Sequence, residues 1–266
     1  MLCALKFSGE MIFDTVKAES FVQPYQGSII RLVESQTKAS TAAILDDLEE
    51  QSIFENLLES SKPISVSTKQ HYLLSTPFRY PPLRHGSRFG ATTERGIFYA
   101  STKMETALAE TAFYRFYYIL ATDGTFPNQR KSFHTSFHVT LQANRSLRLE
   151  QVPFDAYQDR LTSPTDYSFC QTLGAQMRSN KIDAFSYLSA RDPMAGLYKP
   201  SDEEQVRLNV GVFHPETLVS QPSMYVEWTA ILHHESITFT PNHTHQRIQY
   251  SLQQFLVNNQ FPQPVA

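Results

Sequence analysis

The chain has 266 residues, 41% of them hydrophobic, which is length enough for a packed core without disulfide staples. Its 23 Lys+Arg against 26 Asp+Glu leave a formal net charge of −3, far from the basic footprint of a nucleic-acid binder, and 12% aromatic residues with 18% charged exclude a disordered tail or a coiled coil. Cys3 and Cys170 offer no disulfide framework, and neither a basic, apolar leader nor a window of about 18 uncharged apolar residues appears, so a cytoplasmic protein outside the membrane is expected.

Residues 28–34, Ser-Ile-Ile-Arg-Leu-Val-Glu, are a β-branched run that reads as a strand, with Gly27 as its punctuation and Arg31 at its middle. From Ser40 to Ser61 the spacing turns helical. Ile44, Leu45, Leu48, Phe54, Leu57 and Leu58 form an apolar stripe opposite Asp46, Asp47, Glu49 and Glu50, and Lys62-Pro63 ends it. The stretch from Pro77 to Gly90 holds three prolines, two glycines and the arginines 79, 84 and 88, and reads as a loop. Gly96-Ile-Phe-Tyr-Ala-Ser101 is the next strand, running straight into Thr102-Lys-Met-Glu105, the pattern of a capping box for a helix that continues to about Ile119. Phe133, Thr135, Phe137, Val139 and Leu141 alternate with His134, Ser136, His138 and Thr140, the signature of a half-buried strand.

A second helix is predicted from Thr165 to about Ser179. Ile182–Ser189, the alternating Val206, Leu208, Val210, Val212, and Tyr225–Leu232 follow as strands. From Pro241 the chain is polar, Gln-rich and proline-tipped, and reads as a peripheral tail (241–266) with a short amphipathic helix around Ile248–Leu256. No repeat or linker divides the sequence. The reading is one α+β domain over residues 1–266, with a core at about 28–235 and a helical insertion at about 35–70.

Glu110 is the first candidate for chemistry. It lies on a helix face with Thr106, Ala107, Phe113, Tyr114 and Tyr117, and an acid in an aromatic stripe is either a rim residue paired to Arg115 or Arg88, or a carboxylate pointed into a cleft. Arg79, Arg84 and Arg88 are either a solvated basic loop or guanidinium forks for a phosphate. Ser168 and Gln171, a turn apart at a predicted helix start, suit an anion or ordinary capping. No metal site is expected: His134 and His138 stand roughly 13–14 Å apart on a strand, and His233-His234 and His243-x-His245 lack partners at ligand spacing. With only 9 glycines, the sequence has no P-loop and no GxGxxG fingerprint, and it also lacks a Gly-x-Ser-x-Gly elbow.

Together, Gly86-Ser-Arg-Phe-Gly90, Gly96-Ile-Phe-Tyr-Ala-Ser101 and Glu105-Thr-Ala-Leu-Ala-Glu110 resemble the signature of RES domains, named for their Arg, Glu and Ser. Ile30-Arg31-Leu32 looks like the opening strand of such a domain, Asp166-Tyr-Ser168-x-x-Gln171 its polar helix start, and Tyr187-Leu-Ser189-Ala-Arg191 its late Ser-Ala-Arg element, so the likeness spans roughly residues 28–215. Two departures stand out. The loop reads Gly-Ser-Arg-Phe-Gly where many members have Gly-Gly-Arg-Trp-Asn, and Arg79-Tyr80 stands ready to replace or supplement Arg31 as the first functional arginine.

The resemblance implies mixed and antiparallel sheets flanked by helices, as in ADP-ribosyltransferases. It implies a bacterial toxin neutralised by an Xre-like antitoxin, which destroys NAD+ by phosphorolysis or hydrolysis of the nicotinamide–ribose bond. NAD+ would be substrate, with phosphate or water as acceptor and no prosthetic group or metal. Cleavage develops an oxocarbenium-like ribosyl cation, which Glu110 would stabilise. Tyr99 would stack on nicotinamide or ribose, Arg31 and Arg88 would bind pyrophosphate or phosphate, and Ser168 and Ser189 would orient the ribose or acceptor. Arg79, Tyr80 and Gln171 complete the expected substrate-binding set. The alternatives are a mono-ADP-ribosyltransferase acting on a protein, and a non-catalytic nucleotide- or partner-binding module. The insertion is open to roles in homo-oligomerisation, antitoxin contact or covering the cleft.

Overall fold

The computed structural model describes residues 11–35, 70–79, 86–121, 129–197 and 206–263. The Ser40–Ser61 stripe, Tyr80 and Arg84 lie outside the described residues.

β-Branched and aromatic runs form eight strands: β1 (Gln23–Glu34), β2 (Phe98–Ser101), β3 (Arg130–Arg148), β4 (Ala184–Leu188), β5 (Leu208–Val212), β6 (Ser223–Leu232), β7 (Ser236–Pro241) and β8 (Ile248–Ser251). They make one mixed sheet in the order β1-β2-β5-β4-β3-β6-β7-β8, and β1 also pairs along its length with β3, from Gln23↔Ser146 to Glu34↔His134. Five strands therefore close on themselves: β1 to β2 at Ile30↔Ser101, β2 to β5, β5 to β4, β4 in parallel to the end of β3, and β3 back to β1. Closure removes two exposed edges and gives this part of the sheet an inside and an outside. β6, β7 and β8 extend the other side of β3 as an antiparallel meander.

The inside is filled by Ile29, Phe98, Ala100, Phe137, Val139, Leu141, Ala184, Val210 and Val212, contributed by all five strands. Helix α1 (Ile12–Thr15) precedes the barrel, and α2 (Tyr72–Arg79) lays Leu74 and Phe78 against this cluster. The segment expected to be loop from Pro77 is thus helical through Arg79. Pro77 lies inside this helix and has no amide to give the Leu73 carbonyl, so α2 forms with one rung of its ladder missing, held by the burial of Leu74 and Phe78.

The outside is covered by α3 (Met104–Leu120) and, after the short α4 (Gln158–Leu161), by α5 (Ser168–Ser179). Leu108, Ala109, Ala112, Phe113 and Phe116 of α3 pack on Trp228, Ala230, Ile237 and Phe239 of the meander. Phe169, Leu173 and Met177 of α5 pack on Phe89, Leu147, Phe185 and Tyr187. At Gly174 the helix backbone comes so near the chain that an added Cβ would stand 1.9 Å from the Phe89 carbonyl oxygen.

The α+β class is the expected one, and three local expectations are corrected. Thr102 does not cap α3: its amide donates to the Leu208 carbonyl (2.9 Å) and its hydroxyl accepts from the Leu208 amide (3.1 Å), so continued pairing with β5 draws it away and leaves Lys103, extended, at the helix start. The segment after Pro241 is not peripheral. β8 completes the sheet, a 3-10 turn at Leu252–Phe255 follows it under a Ser251/Gln254 capping box, and Phe255 and Phe261 pack on Phe113. The predicted helix at 248–256 is that strand and turn. The half-buried strand at 133–141 is the middle of β3, whose polar continuation through Gln142–Ser146 hides a register shift against β1.

Candidate functional site

The site forms where α3 crosses the outer face of β2 and β5. Register places Ser101 opposite Asn209, with both residues buried. Glu110, on the second turn of α3, reaches this pair. Its Oε1 accepts hydrogen bonds from Asn209 Nδ2 (2.5 Å) and from Ser189 Oγ (2.7 Å), while Asn209 Oδ1 accepts from Ser101 Oγ (2.8 Å). An ionised carboxylate can only accept, so the amide of Asn209 must face Glu110 with its nitrogen and Ser101 with its oxygen. Ser189 also accepts the amides of Arg191 (3.1 Å) and Asp192 (3.0 Å), which fixes the turn after β4 and leaves its one proton for Glu110. Of the two readings left open for Glu110, a rim pair with Arg115 is not formed; Arg115 binds Glu34 at 3.0 Å.

Arg88 is held close by. Gly86 has φ +70°, a conformation open to glycine, and begins a tight turn closed by the Ser87 amide on the Gly90 carbonyl (2.7 Å). The Tyr99 hydroxyl ties this turn to β2 through Ser87 Oγ (3.0 Å) and the Phe89 amide (3.1 Å), and burial pushes that phenol up to about 12. Gln171 of α5 donates to the Ser87 carbonyl (3.1 Å). Thus oriented, Arg88 Nη1 donates to the carbonyls of Leu161 (3.0 Å) and Ser163 (2.9 Å), with its guanidinium 4.4 Å from the Tyr167 ring centroid. Burial opposes its charge, yet Tyr167, Cys170, Tyr187 and Glu110 around it outweigh burial and hold its pKa above the ordinary value.

Arg191 grips the same segment from the other side. Its Nη2 donates to the Pro164 carbonyl (2.7 Å) and the Tyr167 hydroxyl (3.0 Å), and its guanidinium lies 3.7 Å from the Phe113 centroid. The buried Tyr187 and the half-exposed Tyr114 complete an aromatic wall beside Glu110. Cys170 is no nucleophile here, since burial pushes its thiol up to about 11.

Of the residues singled out in the sequence, Arg88, Tyr99, Glu110, Gln171 and Ser189 are gathered here. Three are placed elsewhere. Arg31 turns its side chain to the inner side of the barrel, over the Phe98 ring at 4.7 Å, and donates from Nη1 to the Tyr99 carbonyl (2.7 Å); burial lowers its pKa to about 10. Arg79 ends α2. Ser168 is exposed at the start of α5, its amide on Asp166 Oδ1 (2.8 Å); the Ser168 hydroxyl and amide together hold that carboxyl below the usual range. Asn209 and Ser101 were not singled out. The sequence signal for them was a polar residue in an alternating strand, which ordinarily faces water.

Among the described residues no three His, Cys, Asp or Glu side chains converge as a metal site would require, and no helix is long and apolar enough to cross a membrane. No curated protein matches the chain. A solved structure with a similar course is the crystal structure of the M. tuberculosis MbcT–MbcA toxin–antitoxin complex, at 10% identity and a TM-score of 0.48, covering 82% of this chain and 92% of that one. The RES domain model matches residues 63–228, more than half of the chain, a span that contains Arg88, Tyr99, Glu110, Ser189 and Asn209 and begins after Arg31; the chain belongs to the RES domain family.

Proposed function

We propose that this RES domain protein is a bacterial toxin that consumes NAD+ in the cytoplasm by breaking the nicotinamide–ribose bond, and that an Xre-like antitoxin holds it in check. The observation that carries the reading is the carboxylate of Glu110. Two buried donors fix its Oε1, while Oε2 accepts no hydrogen bond from the described residues. As the C–N bond breaks, its electron pair leaves with neutral nicotinamide and positive charge develops on the ribose. An oriented carboxylate stabilises that charge in place, without reorganising as water would. The acceptor oxygen, from phosphate or water, then bonds to the anomeric carbon, and the proton it carries passes to solvent water. A neutral leaving group needs no strong general acid, which is compatible with a carboxylate whose hydrogen-bond partners among the described residues include no histidine.

The half-exposed ring of Tyr114 offers a surface for a flat heteroaromatic ring, and the positive charge of Arg88 favours the phosphate end of the substrate. Incubation of the purified protein with NAD+, with and without inorganic phosphate, tests the proposal. ADP-ribose 1″-phosphate would indicate phosphorolysis and free ADP-ribose hydrolysis. Transfer of label from NAD+ to a protein would indicate a mono-ADP-ribosyltransferase. Intact NAD+ in every arm would sink the enzymatic reading and leave a binding module.

A further inference from the structure

Asn209 is 4% exposed at the second position of β5, a strand otherwise made of Leu, Val and Gly. A buried primary amide stabilises a fold only when both of its ends are satisfied, and an apolar residue would pack such a strand with no hydrogen-bond requirement at all. Both ends are satisfied here, in one direction only. Ser101, directly opposite in the ladder, presents its proton to the amide oxygen, so the NH2 group is turned toward α3, where it meets Glu110 Oε1. Ser189 reaches the same oxygen from the end of β4. Three chain segments thus determine which of the two carboxylate oxygens is occupied and leave Oε2 of the half-buried Glu110 without a hydrogen bond from the described residues. Without the amide, Ser189 alone would hold Oε1, and a single hydrogen bond leaves the carboxylate free to rotate about its terminal torsion, which has a broad minimum.

We propose that Asn209, oriented by Ser101, is a positioning residue that fixes Glu110 for reaction; this inference rests on the NAD+-consuming reading given above. Asn209 does not touch the substrate. Its effect appears in the chemical step and passes through Glu110.

The experiment is a kinetic double-mutant cycle of Asn209→Ala and Glu110→Gln on the full-length protein with NAD+, accompanied by thermal denaturation of each variant. Asn209→Ala is expected to lower kcat by roughly 10–100-fold, the worth of one hydrogen bond to a charged group, with KM changed by less than about threefold. In the Glu110→Gln background the same substitution is expected to have no further effect, because the group it positions is gone. Asn209→Asp, which preserves shape, is expected to lose at least as much activity as alanine, since it sets a second carboxylate against the first. A purely structural role predicts the reverse order for these two variants. A kcat within twofold of the parent, or equal losses in both backgrounds, would overturn the inference. If the parent protein leaves NAD+ intact, the enzymatic reading fails separately, and a crystal structure of Asn209→Ala decides the positioning claim: a rotated Glu110 carboxylate supports it and an unmoved one refutes it.

Discussion

Gly174 offers the sharpest test of how the site loop is held. In the middle of α5, replacement of glycine by alanine would ordinarily favour the helix by about 1 kcal/mol. The structure demands the opposite sign. A Cβ on residue 174 would lie 1.9 Å from the Phe89 carbonyl oxygen and 2.9 Å from its carbon, where ordinary contact begins near 3.4 Å, so helix and loop must part by about 1.5 Å. The loop has little room to yield. Phe89 is fully buried, its ring lies 4.6 Å from Phe185 and 4.8 Å from Tyr187, and its amide donates to the Tyr99 hydroxyl at 3.1 Å. Overpacking of this kind costs roughly 1–3 kcal/mol, and the strained Tyr99 hydrogen bond adds about 1. Set against the helix gain, Gly174→Ala should destabilise by about 2 kcal/mol and lower Tm by roughly 4–8 °C for a domain of this size. Differential scanning calorimetry reads the shift directly. NAD+ turnover should fall with it, because Arg88 is the neighbour of Phe89 and moves with it. An unchanged or raised Tm would refute the claim that this contact is rigid.

Arg88→Met keeps much of the stem but strips the Leu161 and Ser163 carbonyls of their donor; about 2–4 kcal/mol of stability should be lost in urea denaturation, and a loss below about 0.5 kcal/mol would make Arg88 a substrate ligand without structural duty. His134 is buried beside Arg115, burial being the larger cause, and its pKa is lowered from 6.5 to about 4. The unfolded chain therefore takes up the proton first, so the stability that His134 contributes is complete above pH 6.5 and drains away as pH falls toward 4, by up to about 3 kcal/mol. His134→Gln should flatten the stability difference between pH 7.5 and pH 4.5, and parallel curves for parent and variant would contradict the assignment. Phe255→Ala should cost about 3–4 kcal/mol, since this ring is 5% exposed and meets Phe113 and Phe116 at 6.0 and 5.8 Å; a cost near zero would restore the C-terminal segment to a peripheral tail.

The sequence exposed the elements whose pattern has a single cause. Alternation from Phe133 to Leu141 marks a strand, although its polar side is not wet, since His134 and Ser136 are buried against Phe239 and Trp228 of the meander, and Glu110 stands out because an acid in an aromatic helix face needs a reason. Asn209 was hidden by the same logic. Val206, Leu208, Val210 and Val212 mark one face of β5 as buried, so Asn209 and Gly211 read as facing solvent. In fact Val210 and Val212 fill the barrel while α3 covers the other face, and a strand buried on both sides makes its polar residue a site residue. Arg31 was misleading for a related reason. It follows the two isoleucines of β1 in sequence, but a strand alternates, so Ile30 shares the side of Ser101 while Arg31 shares that of Phe98. β7 and the capped turn after β8 were missed because Thr, Pro and Gln dilute the apolar signal to single residues such as Ile237, Phe239 and Tyr250, whose burial depends on α3 lying across them.

The arginines of the site pose the question of why guanidinium groups stand where a nucleotide fold would place glycines. Arg88 and Arg191 approach the 161–167 segment from opposite sides and between them bond its Leu161, Ser163 and Pro164 carbonyls and the Tyr167 hydroxyl. Irregular backbone under a helix would otherwise carry unsatisfied carbonyls, each costing about 1–3 kcal/mol. Lysine lacks the planar fork that can satisfy such groups while its face lies on an aromatic ring, as both arginines do on Tyr167 and Phe113. The same two charges and the Glu110 carboxylate all act on Tyr114, so folding this segment installs positive potential beside the carboxylate. Substituting either arginine by methionine, which removes both the charge and the fork, should therefore lower stability and raise KM for NAD+ together, whereas in a glycine-cradle site charge and backbone support can be lost independently.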